Sequence, residues 1–368
     1  MSDRFLEVRR MFGDNLAGGA DVGASFCATV RGETVVDLWG GFADEARTRP
    51  WREDTIVGVY STTKTMTALT ALLVADRGEL TFEAPVARYW PEFAAGGKED
   101  VTVAQLMSHS AGLCGWREPI TRDDLYDWEK VTALLAAQQP YWKPGTASGY
   151  HAMTQGYLVG EVVRRITGRT LGTVFREEIA APLGADFHIG LTASDDARVA
   201  DLIPPPGPPP MGAPDDSELR VNVARNPELE VPITRTRAWR GAEIPAVGGI
   251  GNARAMAEIH AILANGGIAK GRRFMSEAGC RRALQPQVDG VDLILGVPMR
   301  FGLGFALDTG LMPHPDTLYW GGYGGSLAII DMDARTTIAY AMNKMSGTTT
   351  GDFRALGLAM AFWAASAA

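Results

Sequence analysis

The chain has 368 residues, and its apolar content of 46% and charged content of 21% are those of a globular protein with an ample core. Its formal net charge of −8 disfavours nucleic acid or an anionic membrane surface as a partner. No stretch is apolar and long enough to span a bilayer, and the N-terminus lacks the apolar run of a signal peptide. Three cysteines and five histidines lie scattered in no metal-binding pattern. We therefore expect a cytoplasmic protein with free thiols and no metal or cofactor.

In chain order, the pattern predicts a helix, a β-hairpin and a short strand before residue 61. The helix carries apolar side chains at helical spacing, and the hairpin turns at a glycine. The predicted ranges are 1–16 for the helix, 24–30 and 34–41 for the hairpin and 55–60 for the short strand.

A helical run follows, with Ser61 and Lys64 at its start and Gly78 where a cap would fall. The serine and lysine stand one turn apart on one face, so that a neutral lysine could take the proton of the serine. Taken alone, the pair is more typical of a serine N-cap with a solvated lysine.

From residue 80 to 144 the sequence predicts short helices and loops, and strands return near the C-terminus. The predicted elements are helices at 131–138, 153–168 and 253–265, strands at 301–307, 318–326, 327–331 and 336–343, and a closing helix. The last four strands are expected to form an antiparallel meander, and the chain is therefore predicted to be α+β. The proline-rich segment 204–210 is either a connector or a wall of a substrate entrance.

Five motifs in order resemble the serine β-lactamase and penicillin-recognising superfamily, near the class C enzymes. They are Ser61-Thr62-Thr63-Lys64, His109-Ser110-Ala111-Gly112-Leu113, Lys143-Pro144-Gly145 with Tyr150, Val247-Gly248-Gly249-Ile250 and Trp320-Gly321-Gly322. The last motif, in place of Lys-Thr-Gly, resembles the family VIII carboxylesterases. The resemblance covers about residues 20–365 and implies a central antiparallel sheet flanked by helices. It further implies a sheet domain of residues 1–66 and 240–368, a mainly helical domain of residues 67–239, and an active site between them.

The resemblance also implies roles for individual residues. Ser61 would be the nucleophile and Lys64 its base, kept neutral by burial. Tyr150 would relay the proton, which we expect to require a cation near its phenol, with Lys64 as the candidate. The backbone amides of Ser61 and Tyr323 would form the oxyanion hole. Substrate contacts are expected from Tyr60, Trp116, His151, Trp320, Gly321 and Gly322.

Two departures from the family pattern bear on the substrate. Ala152 stands where the Tyr-x-Asn motif has an asparagine, so a side-chain amide contact to the substrate or to the lysine is expected to be missing. Trp320 stands in place of a lysine and offers a flat apolar wall and one N–H donor. A site without that cation should bind carboxylate-bearing β-lactams poorly and accept neutral esters or amides.

Some side chains leave alternatives open. His109 is more typical of a structural hydrogen bond, whereas His151 could tune the site or face solvent. An acyl pocket could be lined by Trp116, Tyr126 and Trp128, or these aromatic side chains could belong to the core. Cys114 is expected to be an inert thiol that packs in the interior.

The sequence thus predicts a serine carboxylesterase that acts on a small-molecule ester or amide through an acyl-enzyme. The alternatives are an acyltransferase, an amidase or a weak β-lactamase on the same site, or an inactive binding or assembly protein with this fold. Retention of Ser61, Lys64 and Tyr150 together favours an enzyme. The oligomeric state stays open.

Overall fold

The structure, a computed structural model, describes residues 2–207 and 217–367 of the chain. Residues 208–210 of the proline-rich segment lie outside the described residues. The helices are α1 (Leu6–Ala17), α2 (Thr63–Asp76), α3 (Val103–Met107), α4 (Trp128–Ala137), α5 (Thr154–Thr167), α6 (Leu171–Phe175), α7 (Ala181–Leu183), α8 (Glu218–Arg225), α9 (Arg237–Gly241), α10 (Ala253–Ala264), α11 (Glu277–Arg281) and α12 (Phe353–Ala367).

The strands form a large sheet, a small sheet and a two-stranded ribbon. They are β1 (Gly23–Val30), β2 (Glu33–Gly41), β3 (Ile56–Gly58), β4 (Phe187–Ile189), β5 (Val199–Ala200), β6 (Gly249–Gly251), β7 (Ile268–Ala269), β8 (Arg272–Arg273), β9 (Val288–Val291), β10 (Pro298–Phe301), β11 (Ala306–Leu307), β12 (Thr317–Gly321), β13 (Leu327–Asp331) and β14 (Thr336–Met342). The large sheet has the order β2-β1-β14-β13-β12-β11-β10-β9, and every pairing in it is antiparallel. This arrangement confirms the predicted α+β class and the C-terminal meander.

Two predicted strands are wrong in part. Strand β12 ends at Gly321, and residues 322–326 of the predicted strand form a turn. Residues 301–307 contain only the last residue of β10, a tight turn made by the intervening glycines, and β11. The amide of Gly302 donates to the carbonyl of Phe305 at 2.9 Å, and Gly304 has a φ of +87°. A positive φ favours glycine, so the turn follows from local chemistry that a strand pattern does not capture.

The small sheet joins distant parts of the chain. Its order is β4-β6-β3-β5, so strands from residues 187–200 pair with β3 and β6. The expected domain boundary at residues 66 and 67 falls inside the continuous helix α2. The division into a sheet domain and a helical domain therefore stays a prediction. The small sheet and α2 both contain or join residues of the two expected domains.

Helix α2 lies at the centre of the molecule. Its residues from Thr63 to Val74 are buried, and it packs against α5, α6 and α11. Helix α10 packs on β1, β13 and β14, while α1 pairs with α12. None of the helices in the described ranges is both long enough and apolar enough to cross a membrane.

The approach of α5 to the chain before β6 depends on Gly156. A Cβ built on Gly156 would lie 2.4 Å from the amide nitrogen of Ala246 and 2.6 Å from the carbonyl carbon of Pro245. Both contacts are with backbone atoms, which cannot move aside as a flexible side chain can. The glycine therefore lets residues 245–246 pass directly against the helix.

We expect Gly156→Ala to lower the free energy of unfolding by about 1–3 kcal/mol, since overpacking against backbone outweighs the better helix propensity of alanine. Gly13→Ala in the exposed face of α1, where a Cβ meets nothing within 4 Å, is the control and should be neutral or stabilising. Urea unfolding of both variants is the measurement. Equal stability of the two would show that the close approach at Gly156 is not a constraint.

Candidate active site

Ser61 lies in a 3₁₀ turn, Tyr60–Thr62, between β3 and α2. Tyr60 has a φ of +44°, an unusual value for a non-glycine residue, and only 6% of Ser61 is exposed. The turn is held by Thr63, whose Oγ1 donates to the Tyr60 carbonyl at 2.5 Å and accepts from the Gly249 amide at 2.8 Å. Strand β6 thereby fixes the residue before the serine.

Lys64 lies in the first turn of α2 and is buried, with Nζ 3.2 Å from Ser61 Oγ. Nζ also donates to the carbonyls of Ala152 at 2.7 Å and Ala246 at 3.0 Å. Burial lowers the pKa of Lys64 well below its ordinary value, which favours the neutral amine. A neutral amine has two N–H donors and one lone pair. With both donors on carbonyls, the lone pair is left for the hydroxyl proton of Ser61.

Tyr150 lies in the loop before α5 and is likewise buried, with its Oη donating to Ser61 Oγ at 2.6 Å. Burial raises the pKa of this phenol, while its hydrogen bond to Ser61 opposes the rise. The expectation that Lys64 makes the phenol acidic is therefore wrong for the resting site. Nζ lies 4.8 Å from the centre of the Tyr150 ring, but a neutral amine brings no charge to it. The phenol is a hydrogen-bond donor in this state.

The backbone of Ala152 makes a contact with Lys64 that an alanine side chain cannot make. The missing asparagine amide predicted the loss of a contact to the lysine, yet the backbone carbonyl of the same residue accepts from Lys64. A backbone atom has no sequence signature, so reading the side chains could not have revealed it.

Strand β12 brings the amide of Tyr323 beside the serine turn. A Cβ on Gly322 would lie 2.2 Å from the carbonyl oxygen of Val59, so only glycine allows this approach. Ser326 ties the two segments together, with Oγ 2.8 Å from the Val59 carbonyl and 2.9 Å from Thr62 Oγ1. Within the described ranges no group accepts a hydrogen bond from the amide of Ser61 or Tyr323. Both amides are thus available for an oxyanion.

The two glycines of Trp320-Gly321-Gly322 act through packing. A Cβ on Gly321 would lie 2.4 Å from backbone atoms of Thr350 and Gly351. Strand β12 lies inside the large sheet, but its pairing with β11 reaches only Leu318 and Tyr319, which leaves the end of β12 open on that side.

Trp320 is only 2% exposed, so its ring is packed against other side chains of the site. Its ring packs on Tyr150 with centroids 5.2 Å apart and on Phe301 at 5.5 Å. The indole N–H has no acceptor among the described residues that meets hydrogen-bond geometry, although it is near enough to the Tyr150 phenol to oppose the rise of its pKa.

The two histidines near the site are structural. His151 is fully buried, with its Nε2 accepting from the Leu113 amide at 3.0 Å and its Nδ1 2.6 Å from the Gly149 carbonyl. Burial lowers its pKa to about 3, so both nitrogens serve the backbone as a neutral ring. His109 accepts from the His151 amide at 3.1 Å and packs edge-on against Tyr150. The expected substrate contact by His151 is therefore wrong, as is a solvent-facing ring.

The expected acyl-pocket aromatics also belong elsewhere. Trp116 is 1% exposed, donates to the Val131 carbonyl at 3.0 Å and packs edge-on against Tyr157. Trp128 packs on the same Tyr157 ring with centroids 5.2 Å apart. Both are core side chains of the helical region. Tyr60, directly before the serine, and Tyr323 are half-buried and form an edge-to-face pair at 5.5 Å.

The chain matches the Beta-lactamase family model over residues 8–360. The Esterase/beta-lactamase LipL of Mycobacterium tuberculosis is 35% identical over 372 aligned residues, which cover 93% of this chain and 82% of that protein. A crystal structure of a family VIII carboxylesterase is 45% identical, with a TM-score of 0.94 over 99% of this chain and 98% of that one. A penicillin-binding protein homolog from Caulobacter crescentus is 39% identical, with the same TM-score and coverage. These matches confirm the resemblance and the fold that it implies.

Because Ser61 Oγ contacts both Lys64 Nζ and Tyr150 Oη, we expect Lys64→Met and Tyr150→Phe each to lower kcat by several orders of magnitude, and the double variant to be little worse than either. Ester hydrolysis by the three purified variants is the measurement. Tyr157→Phe, which removes a buried hydroxyl that donates to the Leu125 carbonyl, should affect stability alone. Losses that multiply in the double variant would mean that the two groups act independently.

Proposed function

The chain belongs to the beta-lactamase family, and we propose that within it the protein hydrolyses carboxylic esters of small molecules through an acyl-enzyme on Ser61. The observation that carries the proposal is the position of one hydroxyl between two proton carriers. Ser61 Oγ lies 3.2 Å from Lys64 Nζ and 2.6 Å from Tyr150 Oη. Relatives named as esterases, among them Esterase EstB of Burkholderia gladioli, support the same reading.

Acylation begins when the lone pair of Lys64 takes the proton of Ser61. The serine oxygen attacks the ester carbonyl carbon, and the C–O bond to the leaving group breaks from the tetrahedral intermediate. Tyr150 gives its phenolic proton to the leaving alkoxide and recovers one from the Lys64 ammonium. The alcohol departs neutral, and both carriers return to their starting states.

The negative charge on the intermediate falls between the amides of Ser61 and Tyr323. Neither amide has a partner among the described residues, so both can donate without breaking an existing bond. Deacylation follows the same route with water in place of the serine. Water gives one proton to the amine and phenol pair, its oxygen attacks the acyl carbon, and Ser61 leaves with a proton returned by the same pair.

The side chains bordering the serine favour neutral substrates. Tyr60, Trp320 and Tyr323 are uncharged, and Lys64 is held neutral by burial. A substrate carboxylate would therefore lose its water without gaining a cation. This favours esters over carboxylate-bearing β-lactams, although one relative carries both activities in its name. An amide substrate, transfer of the acyl group to an acceptor other than water, and a cytoplasmic location stay predictions.

We expect the wild type to hydrolyse p-nitrophenyl esters of short acyl chains and to gain one phosphonyl mass on Ser61 after exposure to a fluorophosphonate. Ser61→Ala should lose both turnover and labelling, at a loss of stability of about 1 kcal/mol or less. Ser276→Ala, which removes the serine that caps α11, should keep both. Peptide mass spectrometry locates the adduct.

The same samples test the preference for neutral esters. Wild-type kcat/KM for the ester should exceed that for nitrocefin by about tenfold or more, since a cation at an effective dielectric of about 20 would supply a few kcal/mol before desolvation. Ester turnover by Ser61→Ala would contradict the acyl-enzyme. Nitrocefin turnover above ester turnover in the wild type would contradict the esterase assignment.

A further inference from the structure

Asp292 is a buried carboxylate in an apolar loop. It follows β9 in the loop that leads to β10 and has no exposed surface. The aliphatic side chains around it divide into two groups, since Ile294 is 1% exposed whereas Val291, Leu293 and Val297 are 61%, 38% and 49% exposed. This segment thus buries its charged residue while it exposes several aliphatic side chains, which reverses the usual preference.

One oxygen of this carboxylate accepts three backbone amides. Oδ1 lies 2.9 Å from the nitrogens of Ile294 and Leu295, both in the same loop, and 3.1 Å from the nitrogen of Tyr150. No lysine or arginine in the described parts of the chain forms an ion pair with Asp292. The three amides are therefore the main compensation for burying the charge, and hydrogen bonds to a carboxylate are stronger than those to a neutral oxygen.

The bond to Tyr150 joins the loop to the catalytic segment. A second link runs beside it, from the Leu293 amide to the Ser148 carbonyl at 2.9 Å. On its outer side the loop is held by Arg220 of α8, which donates to the carbonyls of Leu293 at 3.0 Å and Ile294 at 3.2 Å. The loop is thus anchored on both sides, and its inward anchor is the backbone of the residue whose phenol contacts Ser61.

We propose that Asp292 is a positioning residue for this site: its carboxylate holds the backbone amide of Tyr150, and thereby the phenol, against Ser61. The inference rests on the proposed function of Tyr150 and extends it to a residue outside the recognised motifs. The phenol Oη lies 2.6 Å from Ser61 Oγ, a separation at which a shift of the backbone by about 1 Å breaks proton transfer and lowers the rate about 100-fold.

The chain offers a matched control in Asp308. This carboxylate is also nearly buried, at 8% exposure, and accepts the amides of Gly310, Leu311 and Met312 at 2.9 Å each. All three amides belong to its own loop between β11 and β12. Removing the Asp308 carboxylate therefore measures the effect of losing a carboxylate that holds its own loop together and makes no hydrogen bond to the catalytic segment.

The experiment compares Asp292→Ala, Asp292→Asn and Asp308→Ala by ester hydrolysis and thermal unfolding. We expect Asp292→Ala to lower kcat about 100-fold, with KM changed less than about threefold, because proton transfer and not binding is disturbed. Asp292→Asn keeps an acceptor oxygen and should recover kcat to within about fivefold of the wild type. Asp308→Ala should lower the melting temperature with kcat unchanged. If Asp292→Ala does not fold, Asp292→Ser replaces it, since its shorter side chain stops short of the three amides.

Three outcomes would overturn the inference: a wild-type kcat in Asp292→Ala or its replacement, an Asp292→Asn variant as slow as Asp292→Ala, or an equal loss of kcat in Asp308→Ala. Each of these outcomes counts against the inference only when the wild type hydrolyses the ester and is labelled on Ser61. Absence of wild-type turnover and labelling would instead contradict the proposed function itself, so the two failures are distinguishable.

Discussion

The two backbone carbonyls that hold Lys64 Nζ are the constraint on which the rest of the site depends. An amine this deeply buried is stable only when neutral, and a neutral amine can be a base only if its lone pair points at the proton that it must take. The carbonyls of Ala152 and Ala246 occupy its two N–H donors at 2.7 and 3.0 Å, which leaves the lone pair for Ser61. Both the protonation state and the direction of the base thus follow from where the backbone passes.

Several features of the fold serve this arrangement. Gly156 lets α5 approach the segment that carries the Ala246 carbonyl. Strand β6 fixes the serine turn through Thr63, and Ser326 ties the same turn to β12, which brings the Tyr323 amide into place. The nucleophile, its base and the oxyanion donors therefore lie on segments that are packed against one another, and little reorganisation is needed when charge develops on the substrate.

The sequence was informative where side chains and local periodicity determine the structure. The hairpin, α2, α5 and the C-terminal meander have clear patterns. The spacing of Ser61 and Lys64 singled out that pair, and the family resemblance added Tyr150 as the third candidate catalytic residue. Sequence reasoning failed where contacts of backbone atoms, or the burial of a side chain, determine the structure of the site. No sequence pattern reveals the hydrogen bond from Lys64 to the Ala152 carbonyl. The same is true of the hydrogen bonds made by the Ser326 hydroxyl and the Asp292 carboxylate. Trp116 and His151 were expected at the substrate, yet the structure buries both rings and engages their nitrogens with backbone groups. The turn within 301–307 depends on a positive φ that a strand pattern does not reveal.

The charge state of Lys64 is the most direct test of this account. Protein labelled with ¹³C at the lysine Cε can be titrated by NMR, with the Lys64 signal assigned by its absence in Lys64→Met. Because burial penalises the ammonium form, the folded-state pKa should lie below the ordinary lysine value of about 10.4, so that Lys64 loses its proton at a lower pH than the exposed lysines. A Lys64 signal that titrates well below the others is the predicted result. Titration of Lys64 together with the exposed lysines would mean that the resting amine is charged, and Lys64 could not then be the base that activates Ser61.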